Sequence, residues 1–176
     1  MSGHNKWSKI KRQKEKTDSQ KSKIFSKMVK LITVEAKKAI GNLNSPGLKS
    51  AIEKAKSMNV PSDNIERAIK KYSDGGAEME SIVYESYGPG GCAMVIEALT
   101  DNKNRASQEI KAILAKHGFS LAGIGSATWA FRHNPDREWT ATSIITLSDE
   151  DGEKLSQLVD ELEESDEVQD VFTNAE

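Results

Sequence analysis

A single cysteine among 176 residues, Cys92, excludes an intrachain disulfide and any zinc site built on several cysteines. A reducing cytoplasm is the expected setting. No run approaches the roughly 20 consecutive apolar residues that span a bilayer. The apolar fraction is only 36%, which suits modest cores beneath solvated faces. The basic start, MSGHNKWSKIKRQKEK, has no apolar segment behind it and so does not read as a secretory signal. Acidic Glu15 and Asp18 argue against an organelle transit peptide.

Sites for catalysis are equally scarce. His4, His117 and His133 lie far apart and form no metal-binding pair. Cys92 opens an apolar run, where cysteine behaves as a small buried hydrophobe. Asp149, Glu150, Asp151 and Glu153 lack calcium-loop spacing and fit a helix start, where they complement the dipole. The glycine-rich YGPGG, with Tyr84 and Tyr87, matches neither GxxxxGK[ST] nor GxGxxG. It joins two strand-like runs and reads as a hairpin turn. The expectation is a protein without enzymatic activity, metal or cofactor.

What is present is charge, unevenly placed. The net charge of −2 conceals residues 1–40 with 12 Lys/Arg against 3 Asp/Glu, a net of +9. Residues 121–176 carry 3 basic against 14 acidic groups, a net of −11. Such asymmetry points to a polyanionic partner for the basic end, or to two solvated faces.

Periodicity divides the chain. Ile24, Met28, Leu31 and Glu35 share one line with Phe25, Ile32, Ala36 and Ala39 beside it, which predicts a helix ending at Gly41. Ser45-Pro46 predicts the start of a second helix burying Leu48, Ala51, Ile52 and Ala55. Asp63 with Glu66 suggests a capping box for a third, carrying Ile65, Ala68, Ile69 and Tyr72. After Gly75-Gly76 the period becomes two. SIVYESY and CAMVIEAL predict a hairpin, and a helix packing Ile110, Ile113 and Leu114 ends at Gly118. Two alternating runs follow, one placing Ala127, Trp129 and Phe131 on one side, the other running from Trp139 to Leu147. Ser148 caps a helix with Leu155, Leu158, Val159 and Leu162, and VQDVF closes the chain. The reading is α+β: a three-helix module, then a ferredoxin-like βαββαβ antiparallel sheet with helices on one face. The expected division is a basic arm at 1–22, a helical domain at 23–76 and an α+β domain at 80–176.

The basic arm is the principal candidate site. His4, Lys6, Trp7, Lys9, Lys11, Arg12, Lys14, Lys21 and Lys23 combine phosphate-neutralising cations with an indole able to stack on a base. Packing of Trp7 on the helices is the alternative. No zinc-finger spacing or recognition helix is evident, so phosphate positioning is better supported than base readout. TDNKNR offers a second polar surface, with Asn102, Asn104 and Arg105 joined by Tyr87, or simply a helix cap.

The blocks SGHNKWSKIKRQKEKTDSQKSKIFSK, YESYGPGGCAMVIEALTDNKNRASQEIKAILAKHG, GSATWAF and LSDEDGEKLSQLVDELEESDEVQDVFTNAE resemble the YebC/PmpR family over nearly the whole chain. The resemblance implies a cytoplasmic bacterial protein described as a probable transcriptional regulator that binds DNA. Relatives in the family include the mitochondrial translational activator of cytochrome c oxidase and factors that ease ribosome stalling. Carried onto this chain, the family's GHxKW block is Gly3, His4, Lys6 and Trp7. Two departures stand out. Gln20 replaces a commonly basic residue, and only RHNPDREWTATSII bridges Phe131 to Thr146, where relatives insert a further α/β domain. The chain reads as a short form.

Three functions remain open: a transcriptional regulator on duplex DNA, a ribosome-associated translation factor contacting ribosomal RNA, and a protein-interaction module. Nucleic acid is the expected partner, with the ribosome a further one and no membrane.

Overall fold

A computed structural model describes residues 18–71, 78–135 and 138–176. The chain divides into two compact units, one helical and one built on a sheet.

In the helical unit, α1 (Asp18–Lys38) buries Met28, Leu31, Ile32 and Ala36 of the predicted stripe, and Val34 outside it. α2 (Pro46–Ser57) and α3 (Ser62–Lys70) pack against it through Leu48, Ala51, Ala55, Ile65 and Ala68. Glu35 is buried with this stripe and accepts a hydrogen bond from Lys38 Nζ at 3.1 Å. The predicted ends are partly different. Ser45 occupies the cap of α2, but its side chain makes no capping bond; Pro46 opens the helix. Pro61 occupies the cap of α3, which places Asp63 inside the first turn, favourable to the dipole, rather than in a capping box. At the end of α1, Ile40 N–H bonds Lys37 O at 3.1 Å and Gly41 N–H bonds Ala36 O at 2.9 Å. Those are the paired bonds of a Schellman ending. The left-handed position falls on Ile40, with φ 51°, one residue before the glycine.

The second unit begins with β1 (Glu80–Tyr87) and β2 (Ala93–Thr100), joined by a short turn in which Gly90 and Gly91 have φ +65° and +76°. A side chain on Gly90 would also meet Leu147. α4 (Lys103–Lys116), β3 (Leu121–Ala122), β4 (Phe131–His133), β5 (Trp139–Ala141), α5 (Asp149–Glu164) and β6 (Val168–Thr173) follow. The main sheet runs β3-β1-β2-β6. β2 and β6 are antiparallel, from Met94 opposite Thr173 to Ala98 opposite Val168, with an irregularity after Glu97.

β2 is buried on both faces and divides two cores. Cys92, Met94, Ile96 and Ala98 face α4 and α5, meeting Ile110, Leu114, Leu155, Leu158 and Leu162. Each such leucine contributes about 1.5–3 kcal/mol by leaving water. On the opposite face, Ala93 and Val95 meet Ala127, Ala130 and Phe131, with Trp139 and Phe172 packed alongside. The edge of Trp139 meets Phe131 at a centroid distance of 6.5 Å.

The α+β class, the helical module and the helices on one sheet face are as expected. The strand pairing differs from the expected βαββαβ arrangement. The two middle strands do not enter the main sheet; among the described residues β4 and β5 pair with each other, while β1 lies beside β2 as the expected hairpin. The reason is local. Residues 127–130, predicted as strand, form a tight turn whose backbone amides bond the Glu85 carboxylate instead of a ladder. Beyond Ala141, only Ile145 bridges Ala175.

Candidate nucleic-acid interface

Of the arm residues, His4, Lys6, Trp7, Lys9, Lys11, Arg12 and Lys14 lie outside the described residues. Lys21 and Lys23 occupy the exposed opening turns of α1. Positive charge continues through the helical unit: residues 18–71 hold 12 Lys/Arg against 5 Asp/Glu, a net of +7. Described residues of the sheet unit, 81–134 and 138–176, hold 6 against 17, a net of −11.

The second candidate surface separates into two. Asn102 caps α4, its Oδ1 accepting from Arg105 N–H at 3.0 Å. Thr100 Oγ1 accepts from Asn102 N–H at 2.9 Å and donates to Asn102 O at 3.0 Å. Arg105 donates to Glu167 Oε1 through Nε at 2.6 Å, and to Asp101 Oδ1 through Nη2 at 2.6 Å. Glu167 is buried. Asn104 is exposed beside this cluster. These groups brace the start of α4 through capping and charge pairing. Tyr87 belongs elsewhere: its hydroxyl donates to Ser126 O and accepts from Trp129 Nε1–H at 2.9 Å.

That second location was missed by pattern reading. Alternation placed Trp129 with Ala127 and Phe131 on one side of a strand, yet Ala127 and Phe131 are buried while Trp129 is 60% exposed. The organiser is Glu85. Its Oε1 accepts from Gly125 N–H at 2.6 Å, and its Oε2 from Ala127 and Thr128 N–H at 2.7 and 2.8 Å. Burial pushes the pKa of Glu85 up, but these three donors and the Thr128 hydroxyl outweigh it and hold the carboxyl below its usual range. Gly125, at φ +82°, lets the loop turn inward. A lone glutamate in an exposed-looking β-strand carries no sequence signal for such a role.

Elsewhere, burial raises the Cys92 thiol to about 11, which keeps it protonated at neutral pH. His117 and Lys116 both bond Glu161, at 2.7 Å each. Among the described residues, no group of three His, Cys, Asp or Glu side chains is placed to hold a metal ion. Also among them, no helix is long and apolar enough to cross a membrane.

A basic helical unit joined to an acidic α+β unit defines a two-part charged protein. The chain belongs to the TACO1/YebC family. Residues 5–75 match the TACO1/YebC protein N-terminal domain, and residues 79–137 match the TACO1/YebC second and third domain. A protein of Thermoanaerobacter pseudethanolicus, named "Probable transcriptional regulatory protein Teth39_1009", is 38% identical, covering 100% of this chain and 97% of its own. That alignment runs over 239 positions against the 176 residues here, so at least 63 positions face a gap in this chain. A "Probable transcriptional regulatory protein" of Fervidobacterium nodosum is 43% identical, covering 96% of this chain and 68% of its own. The crystal structure of a conserved hypothetical protein, Aq1575 from Aquifex aeolicus, superposes with TM-score 0.79 at 28% identity, covering 92% of each chain.

Proposed function

We propose that this protein is a regulator that binds nucleic acid through its basic N-terminal region. The observation that carries the reading is the concentration of positive charge in residues 1–40. Lysines neutralising phosphates release counterions and give affinity with little sequence preference. Lys21 and Lys23 on exposed turns of α1 continue that surface into a folded element. The names of the relatives support a transcriptional role on duplex DNA. A translation factor contacting ribosomal RNA is the second reading, favoured by Trp7 amid lysines and by the lack of an evident recognition helix.

Binding of the intact chain and of a chain lacking residues 1–22 to duplex DNA, structured RNA and ribosomes, across a salt series, tests the proposal. The intact protein is expected to bind with a steep salt dependence that the truncated chain loses. Undiminished binding without residues 1–22 defeats the arm as the interface. Ribosome binding at physiological salt without duplex affinity selects the second reading.

A further inference from the structure

The sheet face opposite α4 and α5 carries an exposed apolar group. On β1, alternation sends Tyr84 to the helix-side core and places Val83, Glu85 and Tyr87 on the other face. Val83 and Tyr87 are exposed there, and Glu85 is buried beneath the 123–128 loop. That loop presents Ile124 wholly to solvent, and Trp129 follows it. The polar edges are already satisfied: Trp129 N–H is bonded to Tyr87, and Tyr87 O–H to Ser126. What is left outward is an indole surface and a branched alkyl group on a braced loop.

Charge distinguishes this face from the rest of its unit. α5 alone carries eight Asp/Glu against one Lys, on the helix side of the sheet. Residues 117–134, which form the loop and β4, contain no Asp or Glu and include Arg132 and His133, both exposed. Glu85 and Glu97 on this face are buried and hydrogen-bonded, Glu97 to the Trp139 indole at 2.9 Å. Among the described residues, the exposed carboxylate nearest in sequence is Glu138, just ahead of β5. A polyanion repelled by α5 therefore meets an aromatic surface with Arg132 three residues beyond Trp129, and Asp170, opposite Glu97 on this face, is only part-exposed.

We propose that Trp129 and Ile124 form a stacking surface for the bases of an unpaired RNA segment. The inference rests on the nucleic-acid reading above and narrows it. Base faces are closed inside a duplex, whereas RNA loops and bulges splay them out for aromatic side chains. Base stacking on an aromatic is sequence-tolerant, in keeping with the absence of an evident base-reading set. Glu85 is a positioning residue in this scheme, holding the loop that carries Ile124 and leads into Trp129.

The test measures binding of the full chain to fluorescein-labelled oligouridine, oligothymidine and a duplex DNA hairpin across a salt series. Trp129→Ala is expected to weaken oligouridine binding about tenfold with an unchanged salt slope, and to leave the duplex unaffected. Trp129→Phe should retain most of the affinity. Lys21→Ala with Lys23→Ala should instead lower the slope on every probe. Ile124→Ser, at a wholly exposed position, should weaken oligouridine several-fold and supplies the result if Trp129→Ala fails to fold. Unchanged oligouridine affinity in the folded variants overturns the proposal, as does an equal loss on the duplex or a preference for oligothymidine. A benzophenone amino acid at position 124 should cross-link to RNA in cells; cross-linking to protein alone overturns it in favour of a protein-docking surface. Failure of the unaltered protein to bind any probe defeats the nucleic-acid reading itself, whereas intact binding insensitive to Trp129 and Ile124 defeats only the stacking surface.

Discussion

The Glu85 carboxylate accepts the Ala127 N–H at 2.7 Å across 42 residues of sequence, and that one side chain shapes the loop ahead of β4. Two further amides, from Gly125 and Thr128, converge on it. Removing it leaves three donors to find water or remain unpaired.

Glu85→Ala should therefore destabilise the sheet unit by about 2–4 kcal/mol, read by chemical denaturation. Glu85→Gln keeps the shape but loses the charge and should fall between. The folded pKa of Glu85 lies below its ordinary 4.5, so ionisation stabilises the fold above that value. The contribution is lost as pH falls through 4.5 and then through the depressed folded pKa. The stability gap between wild type and Glu85→Gln should hold at neutral pH and shrink below about pH 4. A gap independent of pH counts against an ionised Glu85.

Ile40 is β-branched, 82% exposed and left-handed at φ 51°. A branched side chain there strains against its own backbone by about 1–2 kcal/mol and gains little from burial. Ile40→Gly should raise stability by about 1 kcal/mol, after the extra entropy of the unfolded glycine is deducted. Thermal unfolding of the two proteins decides this; a lower midpoint for the glycine variant means that Ile40 makes contacts that outweigh the strain.

Arg105 pairs with a buried glutamate, Glu167. Glu167 Oε2 has no hydrogen-bond partner among the described residues, so the Arg105 pair carries the compensation. Arg105→Ala should lower stability by leaving the Glu167 carboxylate unpaired, with Arg105→Lys intermediate because a lysine lacks the guanidinium fork. Asn102→Ala, which removes the α4 cap, should cost about 1 kcal/mol. Urea titrations resolve both. A nucleic-acid affinity measured well below the unfolding transition then shows whether the pair also serves binding.

Lys21 and Lys23 should act additively and without regard to sequence. Each Lys→Ala change should reduce the magnitude of the salt slope on duplex DNA by up to about one unit. Loss of affinity at one sequence alone, with an unaltered slope, speaks for base readout instead.

The helical unit was legible because its signal is local. Residues three and four apart share a face, so Met28, Leu31 and Ile32 declare the buried side of α1 without knowledge of their partners. Ser148 and Asn102 were readable as caps for the same reason: a side chain bonds an amide a few residues away. The residues 127–131 carried a misleading pattern. Alternation there indicates which side chains could share a strand face, but the amides of Ala127 and Thr128 had a stronger acceptor waiting on β1.

The amino-acid sequence by itself determined the α+β class, the order of the helices and of the strands other than the short β3, the family, and the opposed charge of the two ends, since all of these follow from composition, short-range periodicity and contiguous motifs. The tertiary structure decided the rest: that β4 and β5 stand apart from the main sheet, and that Trp129 faces solvent beside Tyr87. Each depends on hydrogen bonds between residues some 40 positions apart, and no local pattern records which distant carboxylate an amide will meet.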